Sequence, residues 1–386
     1  MALTERNNVK LTINKDVLSD AVGFVARVLP LRPAAPILQG MLLKADTDGT
    51  VTFTAFDYEI SARAKVEADV EEAGEVLVSG RLLAAIASAL PNGTVTVDAE
   101  GSKVAIKAGN AAYALQTMPL AEYPVIPQVP ATTGTMDSET FKSLVNKVTV
   151  AAASKEDANP VFAGVRVKVA NDKVNLAATD RYRLSQLDAE WNNTNPEINT
   201  TLLVKAKVLQ DVAKNLGQSG DNIEIGLNTD GGLDIIGFSA GGKQTTAQLI
   251  DGQFPAVESL FPESQPIHAV VSRTALIDAV KRVALVSDGI VKLAFREGEV
   301  EVKAGQGDEA HASESLPSDL VGEDITIAVK PVYLLDGLNA IPDAFVRVSF
   351  TGPIKPVELS GQETLSGDRD YLFRYLVVPF RLPEGA

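Results

Sequence analysis

Gly237-Phe238-Ser239-Ala240-Gly241 has the residue order of a nucleophile elbow, in which a serine on a tight strand-to-helix turn attacks an acyl carbon. The next residues, Gly242-Lys243 and then Thr245 to Ile250, read instead as a hairpin turn entering a strand. A serine nucleophile also needs a base, and the chain offers only His268, in a linker, and His311, in an acidic strand. The same glycines beside Lys243 lack the helix N-terminus whose amides would cradle a phosphate. No second His or Cys stands at metal-ligand spacing from either histidine. Zero cysteines exclude disulfides and thiolate sites and fit a reducing compartment. The carboxylates are scattered as on a solvated face. No catalytic residue, metal or cofactor is therefore expected, and a serine hydrolase is set aside.

The elements that would position any site repeat three times. Val78-Ser79-Gly80-Arg81, Val204-Lys205-Ala206-Lys207 and Val329-Lys330-Pro331-Val332 each close a β-branched run and open an amphipathic helix, at spacings of 126 and 125 residues. An earlier helix precedes each, and the six helices are predicted at 15–29, 79–90, 138–152, 204–216, 272–286 and 329–341. Between them lie short alternating runs separated by turn-length gaps, such as Thr50 to Phe56, Ile60 to Glu67, Thr94 to Ala99 and Lys103 to Ala108. Turns that short cannot make parallel crossovers, so the class is α+β: three repeated domains, each with two helices on an antiparallel sheet. The repeat is too long for a solenoid unit of roughly 20–50 residues. The boundaries expected are 1–125, 126–258 and 259–386, with Pro-rich linkers at Pro119 to Gly134 and Asp251 to Ile267.

Charge is segregated. The 386-residue chain carries a net charge of −15, yet the predicted helices hold twelve basic residues against six acidic ones, +6, leaving −21 for the remainder. Glu is as good a helix former as Lys but is nearly absent from these helices. Helices and strands must face different surroundings. No 18-residue apolar run exists and the N-terminus lacks the order of a signal peptide, so a cytoplasmic protein with no membrane partner is expected.

Five motifs occur in order: Arg32-Pro33-Ala34-Ala35-Pro36-Ile37-Leu38, Ala55-Phe56-Asp57, Ala177-Ala178-Thr179-Asp180-Arg181-Tyr182-Arg183-Leu184, Leu249-Ile250-Asp251-Gly252-Gln253-Phe254-Pro255, and Tyr375-Leu376-Val377-Val378-Pro379-Phe380-Arg381-Leu382. With these, residues 9–382 resemble the bacterial β sliding clamps, the β subunits of DNA polymerase III and its processivity factors. The resemblance implies a head-to-tail homodimeric ring of six domains, helices lining the hole and sheets forming the wall. Duplex DNA would thread the positive bore through non-sequence-specific phosphate contacts. It implies further partners: the replicative polymerase's catalytic subunit, the clamp loader and other clamp-motif proteins of replication and repair. It implies no enzyme activity of the chain's own.

By the same resemblance, partner peptides with Leu and Phe anchors enter a pocket between copies two and three. The matching positions are Phe162, Thr179, Arg181, Tyr182, Arg183, Leu184, Pro255, Leu260, Ile354, Val377, Val378, Pro379, Phe380, Arg381 and Leu382. DNA-facing positions are Arg32, Arg81, Lys142, Lys147, Lys205, Lys207, Lys214, Arg273, Lys281 and Arg282, with Glu156 and Val161 left out. The dimer interface is expected at Tyr113 and Leu115 on one side and Leu285 and Val286 on the other, with Lys103 against Asp308, Glu309 or Glu314. Pro383 to Ala386 extend past the usual family end. The rival reading is an enzyme or small-ligand protein with a site in an interdomain groove; an extracellular adhesin is set aside for lack of acidic calcium-type loops.

Overall fold

Period-two alternation makes most of the chain strands with one buried face. In Thr94–Glu100 the side chains of Val95, Val97 and Ala99 are buried, and in Lys103–Ala108 those of Val104, Ile106 and Ala108, paired from Val95 opposite Ala108 to Glu100 opposite Lys103. The computed structural model describes residues 8–153, 159–216, 220, 222–228, 234–262, 265–305 and 310–381. Among them are six α-helices: α1 (Lys15–Val25), α2 (Gly80–Ala89), α3 (Ser138–Thr149), α4 (Ala206–Asn215), α5 (Arg273–Val283) and α6 (Pro331–Ala340). α1 starts where Asn14 Oδ1 accepts from the Asp16 amide, and α3 where Asp137 Oδ1 accepts from the Thr140 amide. α6 starts on Pro331, whose fixed φ suits the first helical position. Leu18, Ala21, Val22 and Val25 form the buried stripe of α1; Leu276, Ile277, Val280 and Val283 form that of α5.

The chain divides into two compact units, Met1–Phe141 with Asp211–Leu249, and Lys142–Gln210 with Ile250–Ala386. The second unit holds one antiparallel sheet built from three quartets. Strand beside strand these are Asn199–Lys205, Gly164–Ala170, Lys173–Thr179 and Arg183–Glu190; then Arg369–Val377, Val357–Gln362, Phe345–Phe350 and Ile267–Ser272; then Ala312–Val321, Glu299–Ala304, Val291–Arg296 and Ile325–Val329. In the first unit the order is Thr132–Met136, Ile223–Asn228, Ile235–Ala240 and Lys243–Gln248; then Ile60–Glu67, Thr50–Phe56, Gly40–Ala45 and Gly74–Ser79; then Ala111–Met118, Lys103–Ala108, Thr94–Glu100 and Val9–Asn14, with Asp69–Glu72 at the end.

Each unit thus contains one joint where the last strand of one copy pairs with a strand of the copy before it. Lys243 to Ala247 runs against Ala64 to Ile60, and Phe373 to Val377 against Leu187 to Arg183. Tracing the ladders through each copy puts the two joints in the same register: Ser61 and Leu184 are equivalent, as are Thr246 and Leu376. At the first joint Ser61 Oγ and Thr246 Oγ1 share a buried hydrogen bond of 2.6 Å; at the second the same position is Leu against Leu.

The predicted helices are all present, with 15–29 and 272–286 finishing as single 3-10 turns at Ala26–Val28 and Ala284–Val286. Two strands that the alternation predicts at Ile37 to Ala45 and Val161 to Val169 begin late. Pro36 and Pro160 each start a 3-10 turn, so the strands open at Gly40 and Gly164. Of the strand predicted at Glu309 to Leu316, the described residues run as Ala312–Val321, five residues past the expected end, and the acidic strand Asp69–Glu72 was not anticipated.

Candidate functional site

The turn from Thr179 to Leu184 is over-determined by its own side chains. Asp180 Oδ1 accepts from the amides of Tyr182 at 3.0 Å and Arg183 at 3.1 Å. Thr179 Oγ1 accepts from the Arg181 amide and donates to the Arg183 carbonyl at 2.7 Å. These bonds hold Arg181 at φ 79°, a left-handed conformation costly for a residue with a Cβ. Copy one builds the same turn, with Tyr58 at φ 76° and Asp57 accepting from Glu59 and Ile60. The repeat therefore sets the backbone. Copy two differs in the side chains presented, Arg181-Tyr182-Arg183 in place of Tyr58-Glu59-Ile60.

Arg183 ties that turn to α6. Its Nε donates to Asp180 Oδ2 at 2.9 Å, another nitrogen donates to Asp336, and the guanidinium lies 4.7 Å from the Tyr333 ring centre. Burial works against its charge, but the Tyr375 oxygen, Asp336 and Asp180 outweigh this and push its pKa up. Tyr182 stacks on Tyr333 at 6.2 Å, and the Lys330 ammonium sits within 6.0 Å of the rings of Tyr182, Tyr333 and Phe380. Arg181 lies over the Phe162 ring at 5.0 Å.

The chain end docks on this turn. Val378 donates its amide to the Tyr182 carbonyl at 2.9 Å and Phe380 to the Ala328 carbonyl at 2.7 Å. From the linker, Val257 joins Ala177, Leu184 and Leu376 in a buried cluster with Phe254 and Phe261 against it. That contact fixes the loop carrying Pro255 and Leu260. Ile354 lies three residues before Val357, which pairs with Val377. Tyr182, Leu260, Ile354, Val378 and Phe380 stay exposed, whereas Thr179, Leu184, Val377 and Pro379 are buried and support them from below. Phe162 and Pro255 are half-buried and Arg181 and Arg381 exposed. The second unit so assembles an apolar surface with fixed cations, suited to binding and not to bond-breaking. Sequence reasoning missed Tyr333, Lys330 and Asp336 as its supports. The only signal was that Lys330 opens a repeated helix, which does not reveal what that helix end touches. Leu382 and Pro383 to Ala386 lie outside the described residues, as do Glu156, Asp308 and Glu309.

The expected DNA-facing cations divide between the units: Arg32, Arg81 and Lys214 in the first, Lys142, Lys147, Lys205, Lys207, Arg273, Lys281 and Arg282 in the second. Arg32, Arg81, Lys207, Lys214, Lys281 and Arg282 are exposed, the other four half-buried. Several also have structural partners. Arg81 donates to the Leu29 carbonyl at 2.7 Å, Arg273 to the Asp343 carbonyl at 2.7 Å, and Lys147 lies 5.7 Å from the Phe373 ring centre. Arg282 makes two bonds to Glu314, 2.9 and 2.6 Å.

At the expected interface Tyr113 is 37 % exposed and Leu285 85 % exposed, and Val286 is half-buried. Leu115 needs correction: it shares a strand face with Tyr113 but is only 3 % exposed, lying opposite buried Val104 in the core of its own copy, so it backs that surface from within. Lys103 is exposed. Ser239 lies in Ile235–Ala240, which a two-residue turn joins to Lys243–Gln248, so the hairpin reading stands. His268 is half-buried, its pKa lowered by burial and by Arg347; His311 is exposed. Among the described residues no group of three His, Cys, Asp or Glu could hold a metal, and no helix is long and apolar enough to cross a membrane.

Three family models match in order: the N-terminal domain of the DNA polymerase III β subunit at residues 9–127, its central domain at 135–256 and its C-terminal domain at 258–373. The chain is 44 % identical over 377 residues to the "Beta sliding clamp" of Streptomyces coelicolor, covering 97 % of this chain and 100 % of that one. It is 46 % identical over 314 residues to that of Micrococcus luteus, covering 81 % and 100 %. The crystal structure of the DNA polymerase sliding clamp from Bacillus subtilis superposes with a TM-score of 0.89 at 25 % identity, covering 97 % of this chain and 100 % of that one.

Proposed function

Because the chain belongs to the bacterial DNA polymerase III β-subunit family, the β sliding clamps, we propose that two copies close head to tail into a ring that encircles duplex DNA. The protein is a processivity clamp that tethers the polymerase and does no chemistry of its own. In this reading the domains are 1–125, 126–258 and 259–386, and the ring works in the cytoplasm, on the nucleoid during replication.

One observation carries the ring. Two joints with one register already link three copies. Each uses the edge of a copy's third strand and the last strand of the next copy. A third strand with no such partner remains in copy three, whose Ala312 to Pro317 pairs on one side only, with Glu299–Ala304. A last strand likewise remains in copy one, whose Ala111 to Gln116 pairs only with Lys103–Ala108. Applying the joint register to them sets Ala111 opposite Glu314, Ala112 opposite Ser313 and Tyr113 opposite Ala312 in a second copy. One such contact leaves a complementary pair of edges open and a second closes it, the logic of a closed symmetric assembly. Leu285 stands where Arg27 stands at the first joint, and Arg27 there donates to Asn215 of the next copy. That equivalence supports Leu285 and Val286 as the apolar side of the contact.

The basic positions Arg32, Arg81, Lys142, Lys147, Lys205, Lys207, Lys214, Arg273, Lys281 and Arg282 would face the phosphates, giving salt-sensitive attraction without sequence readout. Partner peptides from the polymerase, the clamp loader and other clamp-motif proteins would insert Leu and Phe anchors among Tyr182, Leu260, Ile354, Val378 and Phe380. The test is retention: the protein loaded by its clamp loader stays on closed circular DNA and runs off when the circle is cut. Equal retention on both forms refutes encirclement. Charge reversal at Lys205, Lys207 and Lys214 together lowers loading, most at low salt, and flattens its salt dependence; unchanged loading removes those residues from the bore.

A further inference from the structure

The two internal joints share a contact that the repeat places at one position with its roles exchanged. At the first joint the strand residue Lys243 lies 5.5 Å from the ring centre of Phe24 on α1 and pairs with Asp20 at 2.9 Å. At the second the helix supplies the cation and the strand the ring: Lys147 of α3 lies 5.7 Å from the ring centre of Phe373. Phe24, Lys147 and Arg282 are each the tenth residue of the first helix in their copy. Lys243 and Phe373 occupy the same place on the last strand, opposite Ala64 and Leu187, and the residue equivalent to them in copy one is Ala111. At the ring-closing joint the helix therefore offers a cation, Arg282, and the strand offers a methyl group. Arg282 turns instead to Glu314 of its own copy, the residue equivalent to Ala64 and Leu187.

We infer that Ala111 makes the ring-closing joint the openable one: it withholds from Arg282 the cation–π contact that fastens helix to strand at both internal joints. The inference rests on the ring reading above. In that reading the ring-closing joint keeps the same backbone ladder, and what it lacks at the fastener position is the strand's cation or ring. Two permanent joints within a protomer carry the fastener, and the joint that must part to admit a closed duplex lacks it. An aromatic ring at position 111 of the partner would lie over the outward face of Arg282 without breaking the Glu314 bonds, because a guanidinium accepts carboxylate in its plane and a ring on its face. A contact of this kind on a surface changes an equilibrium roughly threefold, and a ring has two such joints, so about tenfold in all.

The experiment compares the full-length wild type with Ala111→Phe, Ala111→Leu and each change combined with Arg282→Met, reading the dimer dissociation constant by sedimentation and ring opening by subunit exchange between differently labelled dimers. Ala111→Leu supplies bulk without a π face. The expected result is that Ala111→Phe tightens the dimer about tenfold relative to Ala111→Leu, slows exchange to match, and loses this advantage when Arg282 is Met. A dimer in which Ala111→Phe and Ala111→Leu behave alike, or in which the advantage survives Arg282→Met, overturns the inference and leaves the ring intact. A wild type that stays monomeric at every concentration overturns the ring reading as well.

Discussion

Replacing Arg183 by Met should weaken binding of a Leu/Phe-anchored clamp peptide about tenfold. The guanidinium is 11 % exposed and its partner Asp180 12 %, so that pair counts as nearly buried, and removing the cation leaves a carboxylate without its counter-charge. Loss of such a charge-assisted bond costs about 1.5–3 kcal/mol. Asp336 is 39 % exposed, which screens its pair to at most about 1 kcal/mol, and the face contact on Tyr333 adds about 0.5–1 kcal/mol. Neighbouring terms do not add fully. The Asp180 bonds to the amides of Tyr182 and Arg183 remain and hold part of the turn. If about 1.4 kcal/mol of the loss falls on the order of the turn and of the stacked Tyr182, the competent conformation becomes tenfold rarer and apparent affinity falls by that factor. Arg183→Lys keeps the charge but not the fork and should fall between. Fluorescence anisotropy with a labelled peptide measures it, with sedimentation confirming an unchanged dimer. An affinity within twofold of wild type would refute the argument that Arg183 organises the docking surface.

Two further outcomes concern buried groups outside that surface. The Tyr123 hydroxyl is pushed up to about 12 by burial, and it bonds to the Phe56 amide and the Gly40 carbonyl. Its neutral form supports the fold, so that contribution is complete below pH 10 and disappears as pH rises from about 10 towards about 12. Urea midpoints measured across that range should fall more steeply for the wild type than for Tyr123→Phe; parallel curves would remove Tyr123 from the alkaline transition. Glu358 is fully buried and takes two bonds from Arg374, 2.5 and 2.9 Å, with Arg369 at 3.6 Å. Glu358→Gln leaves those cations without their charge partner and should cost about 3 kcal/mol, seen as a lower urea midpoint; an unmoved midpoint would show that solvent already screens the cluster.

Residue order alone determined the threefold repeat, the α+β class, all six helices and nearly every hairpin, because these rest on local signals: apolar period, caps, prolines and turn-length gaps. Through the family resemblance it also singled out the Ala177–Leu184 and Tyr375–Leu382 motifs, and the turn and the chain end meet in one surface through the Val378 amide and the Tyr182 carbonyl. Only tertiary structure decided which strand edges meet. Lys243 to Ala247 against Ile60 to Ala64 is a pairing of backbone amides and carbonyls, which every sequence carries alike, so no residue pattern announces it. For the same reason Tyr333 and Asp336 carried no mark of function until Arg183 was seen to reach them across 150 residues or more of chain. Local chemistry wrote the three copies; long-range hydrogen bonding, blind to side-chain identity, chose how they join.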